Sequence, residues 1–283
     1  MSMGRGRMGS GMSRPALVIH GGAGSQADTA RLREAERRLR RICEYGYRVL
    51  RRSGALAAVV DAVSRLEDDP MFNAGTGSVA QRDGRVRMSA SVMDGESSRF
   101  GGVLNIERVR NPVRAARALL GRSDRILAGP EASRFARRLG LAAGPAVAWR
   151  AIRPQGPGTV GAVAVDRAGR LAAATSTGGK RRASAGRVSD SGMPVGNWAG
   201  DNVAVSCTGL GEDIVEAALA VRIAERARDG RSPAVVLRSM LRELRRKRLA
   251  AIAVDRFGRL AWGGTLPVLL GVWRTPTGSG ITW

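Results

Sequence analysis

The chain has 283 residues, 43% of them hydrophobic, and a formal net charge of +23 at pH 7. That apolar fraction excludes a disordered chain and provides for one large core or two modest ones. The charge invites a nucleic-acid reading, but all but two of the 47 basic residues are arginines spread over the whole length, and only 4% of residues are aromatic. Uniform arginine usage with few stacking platforms reads as a composition bias, so nucleic acid is not the expected partner. Cys43 and Cys207 have no CxxC spacing and are expected to be reduced thiols in a cytoplasmic protein. With the single histidine, His20, they are too small an inventory for an ordinary zinc site. No apolar run approaches the length of a bilayer span, so no membrane partner is expected. Residues 1–14, rich in Gly, Arg, Ser and Met, lack the apolar block of a secretory signal and are expected to be a flexible tail.

Residues 16–19 read as a short buried strand running into His20-Gly21-Gly22-Ala23-Gly24-Ser25, where glycines permit a tight turn with exposed amides. Leu32, Ala35, Leu39, Ile42 and Val49 then recur at helical spacing between arginines and glutamates. A second helix, carrying Leu56, Val59, Val60, Val63 and Leu66, follows the Gly54 break. Residues 78–93 are expected to be a hairpin turning at Arg82-Asp83-Gly84, and residues 101–109 another strand. Short helices are predicted over 111–120 and 130–139.

The run Arg153-Pro154-Gln155-Gly156-Pro157-Gly158 breaks regular structure, and a buried strand begins at Thr159. Residues 159–165 and 171–177 read as a hairpin around Asp166-Arg167-Ala168-Gly169, and residues 203–208 as a strand. Helices are predicted over 212–228 and 233–247, with a final hairpin over 251–262. Strands in hairpins and helices in pairs do not suit a doubly wound sheet. The expected fold is α+β, a four-layer α/β/β/α sandwich.

The Gly158-Thr159 junction carries two readings. Thr159 is either an ordinary strand threonine or, if the bond before it is cut, a nucleophile that carries its own base. An α-amine titrates near neutral pH and can accept the hydroxyl proton without a histidine.

Eight ordered phrases decide between them. Ile19-His20-Gly21-Gly22-Ala23-Gly24, Phe72-Asn73-Ala74-Gly75-Thr76-Gly77, Val92-Met93-Asp94-Gly95 and Asn111-Pro112 precede the junction. Gly158-Thr159-Val160-Gly161-Ala162-Val163-Ala164, Ala174-Thr175-Ser176-Thr177-Gly178-Gly179, Gly186-Arg187-Val188-Ser189-Asp190-Ser191 and Val205-Ser206-Cys207-Thr208-Gly209 follow. Together they resemble the plant-type L-asparaginase/isoaspartyl aminopeptidase branch of the N-terminal nucleophile hydrolases, over nearly everything from Pro15 onward.

The resemblance implies an inactive precursor that cuts itself between Gly158 and Thr159. The products would be an α subunit of residues 15–158 and a β subunit of 159–283, which stay together and assemble as (αβ)₂. It implies Thr159 as nucleophile, with Thr177 orienting it. Thr208 and Gly209 stabilise the oxyanion, Arg187 grips the substrate α-carboxylate, and Asp190 its α-ammonium, with Gly211 in the same loop. The substrate is then L-asparagine or a β-aspartyl dipeptide, and no organic cofactor is called for. Leu66, Glu67, Asp69, Phe72, Ala74 and Thr76 resemble a loop whose main-chain carbonyls hold a structural sodium ion; the same stretch also reads as an exposed acidic helix end. His20 matches a glycine-turn histidine and is taken as a turn residue rather than a catalyst.

Departures from the family pattern bear on substrate range. The linker before Thr159 is short, Ser189 stands where relatives usually have glycine, and a Lys180-Arg181-Arg182 insert and Trp198 are expected to alter the loop over the pocket. Arg245-Arg246-Lys247-Arg248 replaces a glycine-rich approach to the last hairpin. An esterase triad is excluded, because no G-x-S-x-G elbow exists. A non-processing relative and a basic nucleic-acid scaffold remain as alternatives.

Overall fold

A computed structural model describes residues 14–24, 29–141 and 158–282. In chain order the elements are β1 (Ala16–Gly24), α1 (Thr29–Asp68), β2 (Met88–Asp94), β3 (Arg99–Ile106), α2 (Pro112–Leu119), β4 (Ile126–Ala128) and α3 (Gly129–Arg138). After these come β5 (Val160–Val165), β6 (Leu171–Thr177), β7 (Asn197–Ala199), β8 (Val203–Gly209), α4 (Gly211–Ala217), α5 (Leu219–Arg226) and α6 (Pro233–Glu243). The chain closes with β9 (Leu249–Asp255), β10 (Leu260–Gly264), β11 (Val268–Thr275) and β12 (Gly278–Ile281).

Two sheets stack between helices, as the sequence predicts. The larger runs β12-β11-β1-β5-β6-β2-β3-β4 and the smaller β10-β9-β8-β7. Alternation of side chains along each strand divides the apolar residues into three cores. Leu17, Ile19, Ala162, Ala164, Ala172 and Ala174 face α1 and α2; Val18, Val163, Val165, Leu171 and Ala173 face the small sheet across Ala204, Ile252 and Val254. On the far side of the small sheet Val205, Cys207 and Ala251 pack on Ile223, Leu237 and Met240 of α5 and α6.

Strand order has a consequence for the cut expected before Thr159. In the large sheet β1 stands between β11 and β5, and β6 pairs with β2, so strands from both sides of residue 158 interleave. Fragments made there share one set of backbone hydrogen bonds and one core, and they part only when the sheet unravels.

Three expectations about the elements are corrected. Val79 is buried, but residues 78–81 are not a strand. The 82–84 turn is present, while the hairpin is β2–β3, which turns through residues 95–98. The helix predicted over 212–228 is two helices, broken at Ala218, whose φ of +46° no glycine announces. The hairpin β9–β10 is not the last: β11 and β12 follow, and β11 pairs with β1. The short strands β4 and β7 were not predicted. Elsewhere α1 breaks at Gly54, where φ is +84° and ψ 178°, as expected. The expected tail lies almost wholly outside the described residues, as does the 153–157 run with its short linker.

Candidate active site

Thr159 immediately precedes β5, and the β5–β6 register places Val160 opposite Ser176. One step further along both strands, Thr159 and Thr177 face each other with hydroxyl oxygens 3.3 Å apart. Both side chains are buried. A second hydroxyl, Ser191 Oγ, lies 3.4 Å from Thr159 Oγ1. Thr159 donates in its contact with Thr177, and Thr177 Oγ1 also accepts the Gly179 N–H at 3.0 Å, which holds the Thr177 hydroxyl toward Thr159. Gly158 has φ +36°, in the region where glycine alone is unstrained. Thr208 on β8 donates to the Thr159 carbonyl at 3.4 Å.

These groups open on a cavity of about 360 Å³ lined by Gly158, Thr159, Thr177, Arg187, Asp190, Gly209 and Gly211, among others. Every catalytic and substrate-binding residue expected from the sequence is therefore on its wall except Thr208, which lies behind it, wholly buried; the residues expected to hold sodium are not on it. Gly211 is required by close approach: a Cβ there would fall 2.3 Å from Ser189 Cβ and 2.8 Å from Asp190 Oδ1. The serine that departs from the family pattern is thus seated against a residue with no side chain.

Asp190 is 1% exposed and its Oδ2 has no partner. Burial raises its carboxyl to about 7, opposed by hydrogen bonding from Ser189 and by the charge of Arg187. Oδ1 of the same carboxyl lies beside Gly211 on the cavity wall, and a buried carboxyl with spare accepting capacity there suits a cationic donor. Arg187 meets Glu212 in a two-pronged ion pair, 2.8 Å at both contacts. Hydrogen bonding from Arg187 is the main cause that holds Glu212 down to about 2, with smaller help from the Arg187 and Lys180 charges.

Residues that the sequence reading left without a role complete the surroundings. Ser191 is one and Glu212 another; neither carries a local signal, because both reach the site through space. Asn73 donates to Gly179 O at 2.8 Å and accepts from Val79 N at 3.2 Å, tying the glycine-rich segment at 73–79 to the end of β6. His20 is not a turn residue: it lies within β1, opposite Gly161, and fully buried between the sheets. Its Nε2 is 2.9 Å from Ser206 Oγ, which is 2.7 Å from Thr175 Oγ1. Desolvation there lowers its pKa to about 3, against a smaller upward pull from the Thr159 backbone, so the ring is neutral at ordinary pH.

Trp198 also moves from its expected place. It sits in β7, partly buried between two cores, and lines a different cavity with Asp201, Asn202 and Arg228. Of the 180–182 insert, Lys180 and Arg181 line the candidate site. Lys247 of the 245–248 run is bound to Glu216.

The segment proposed for sodium is partly interior. Leu66, Glu67, Phe72 and Ala74 are fully buried, so the exposed-acidic-end reading fails for Glu67 and holds for Asp68. Asp69 is paired with Arg38 at 2.7 Å. A Cβ at Gly75 would meet Glu67 O at 2.3 Å and one at Gly77 would meet Phe72 O at 2.1 Å, so main-chain oxygens crowd this loop. Among the described residues no group of three or more His, Cys, Asp or Glu could hold a metal ion. No helix among them is long and apolar enough to cross a membrane.

Comparison with known proteins bears on this geometry. A family model described as asparaginase matches residues 13–152 and 149–280. The isoaspartyl peptidase/L-asparaginase of Synechocystis sp. is 42% identical over 95% of this chain and 90% of its own length. The plant-type L-asparaginase of Pyrobaculum calidifontis is 38% identical over 92% and 97%. The isoaspartyl peptidase of Salmonella typhimurium is 39% identical over 75% and 79%.

Proposed function

This chain belongs to the asparaginase family, and on that premise we propose that it is a self-processing threonine hydrolase of L-asparagine and β-aspartyl dipeptides. The observation that carries the reading is the pair of facing hydroxyls, Thr159 and Thr177 at 3.3 Å, on the wall of a cavity that also holds Arg187 and Asp190, one of whose carboxyl oxygens has no partner.

Processing begins with attack of Thr159 Oγ1 on the Gly158 carbonyl carbon. The Gly158–Thr159 C–N bond breaks, the hydroxyl proton passes to the departing nitrogen, and residues up to 158 are left as an ester on Oγ1. Water hydrolyses that ester to a Gly158 carboxylate and a free Thr159 amine. Residues 15–158 then form an α subunit, after a tail of 1–14, and 159–283 a β subunit.

In the reaction itself the new amine takes the Oγ1 proton as the oxygen attacks the side-chain carbonyl of the aspartyl unit. The Thr208 hydroxyl and the Gly209 N–H stabilise the oxyanion. Ammonia or the second amino acid leaves with the proton held by the amine, and water releases aspartate from the β-aspartyl ester. Arg187 suits a planar carboxylate, and the Asp190 carboxylate suits an ammonium. Both demand free α-groups on the aspartyl unit, which excludes asparagines inside a protein chain.

A structural ion, a cellular setting and an assembly belong to the same proposal. A sodium ion held by main-chain oxygens of Leu66, Glu67, Asp69, Phe72, Ala74 and Thr76 is supported by the crowding of carbonyls in that loop. Its role is to fix the loop, and no chemical step passes through it. A cytoplasmic setting is supported by the two free, buried cysteines. The (αβ)₂ assembly rests on the family resemblance, and a monomeric mass by light scattering would refute it.

The testing experiment is incubation of purified protein with L-asparagine and with β-Asp-Leu. Release of aspartate from both, lost in Arg187→Ala, is expected; a processed wild type that releases none overturns the assignment.

A further inference from the structure

Two cations on the cavity wall have no work in the reaction as described. Arg187 is committed to Glu212 and to the substrate α-carboxylate. Lys180 and Arg181 also line the cavity, both exposed, and neither makes an ion pair within 4 Å among the described residues. They stand on a fixed turn. Ala183 N–H donates to Lys180 O at 3.1 Å, Arg182 N–H to Ala80 O at 3.1 Å and Arg82 N–H to Ala183 O at 2.8 Å. That turn continues from Thr177, whereas Arg187 and Asp190 belong to the loop packed against Gly211 and Glu212.

The charges of the substrates differ in a way that matches. L-Asparagine carries only the α-carboxylate and α-ammonium, both already met by Arg187 and Asp190. A β-aspartyl dipeptide adds a second carboxylate on the departing residue, and an acidic departing residue adds a third. Asp190 is the one acidic side chain among the described residues on this wall, and Glu212, whose carboxylate feels the Lys180 charge, is already bound in two prongs by Arg187, so the two cations keep a net positive charge beside the cavity.

We propose that Lys180 and Arg181 form an anion-binding subsite for the departing residue, which selects β-aspartyl dipeptides whose second residue is acidic. The proposal rests on the reading of Arg187 and Asp190 as the grip on the aspartyl unit. Two solvent-exposed cations acting over a few ångströms give a preference on the order of tenfold, and salt weakens it.

The test measures kcat/KM of processed enzyme on L-asparagine, β-Asp-Leu, β-Asp-Glu and β-Asp-Lys at low and high salt. Wild type is expected to favour β-Asp-Glu over β-Asp-Lys about tenfold at low salt, with the ratio shrinking at high salt. Lys180→Ala combined with Arg181→Ala should lower β-Asp-Glu turnover about tenfold more than asparagine turnover. Lys180→Glu with Arg181→Glu should reverse the order of the two charged dipeptides, a gain that misfolding does not mimic. Equal rates on β-Asp-Glu and β-Asp-Lys in wild type overturn the subsite, as does an equal loss on asparagine and β-Asp-Glu in the alanine pair, which would place the cations at the shared α-carboxylate. Absence of turnover on β-Asp-Leu and asparagine alike overturns the underlying reading instead, and the subsite with it.

Discussion

The hydroxyl of Thr159 meets that of Thr177 at 3.3 Å because the two residues end adjacent antiparallel strands in register. The contact is set by a sheet, which holds geometry more firmly than a loop does. Thr177→Val keeps the shape and removes the hydroxyl, so kcat on β-Asp-Leu should fall about 10- to 100-fold, with Thr177→Ser restoring much of it. An unchanged kcat in Thr177→Val would remove Thr177 from the mechanism.

Under the proposed function, Asp190 should make activity and stability depend on pH in opposite senses. Only its ionised form pairs with an α-ammonium, so kcat/KM should rise with pH through about 7. Its folded pKa is raised above the ordinary 3.8, so the native state holds the proton where the unfolded chain has lost it. Stability contributed by this group is present below about 4 and falls as pH rises toward 7, at up to about 1.4 kcal/mol per pH unit. Asp190→Asn should flatten that slope in denaturant titrations and cut kcat/KM at least about a hundredfold. An unaltered slope of stability against pH in Asp190→Asn would contradict a carboxyl whose proton is held by burial.

Glu212 aims Arg187 through an exposed pair, which adds about 0–1 kcal/mol to stability. Glu212→Gln should therefore leave the melting temperature nearly unchanged while raising KM for β-Asp-Leu about 3- to 10-fold, with kcat little altered. A fall in kcat at constant KM would show that Glu212 acts on the chemistry instead.

Ser191 crowds the same oxygen at 3.4 Å and was given no role by the sequence. Ser191→Ala should slow self-cleavage about tenfold, followed by denaturing gel over time. Cleavage at the wild-type rate would make Ser191 packing only.

Local signals explain what the sequence revealed. Proline and glycine before Thr159, the Asp166–Gly169 turn and apolar runs on both sides fixed the hairpin, and with it the Thr159–Thr177 contact. Gly54 announced the break in α1. The strand β11 gave no such signal, since its partner β1 lies some 250 residues away in the chain and Leu266-Pro267 hid its start. Ala218 adopts a left-handed conformation that its residue type does not advertise. Trp198 and His20 were misplaced for one reason: neighbours in sequence suggested a loop, whereas strand pairing places both in sheets, His20 fully buried and Trp198 partly so. Ser191 and Glu212 touch the site only through folded geometry, which a linear motif does not encode.

Cleavage products should remain one particle, because β1 sits between β5 and β11. Size exclusion in buffer should show both fragments co-eluting, and they should separate only in denaturant. Spontaneous separation in buffer would contradict the interleaved sheet.

The central claim is that Thr159 is a nucleophile released by self-cleavage, and mass spectrometry of the purified chain under denaturing conditions tests it most directly. The account predicts two masses for wild type, the smaller fragment beginning at Thr159, and a single uncut chain for Thr159→Ala. A wild-type chain that stays intact while hydrolysing β-Asp-Leu, or a smaller fragment that begins at another residue, would contradict it.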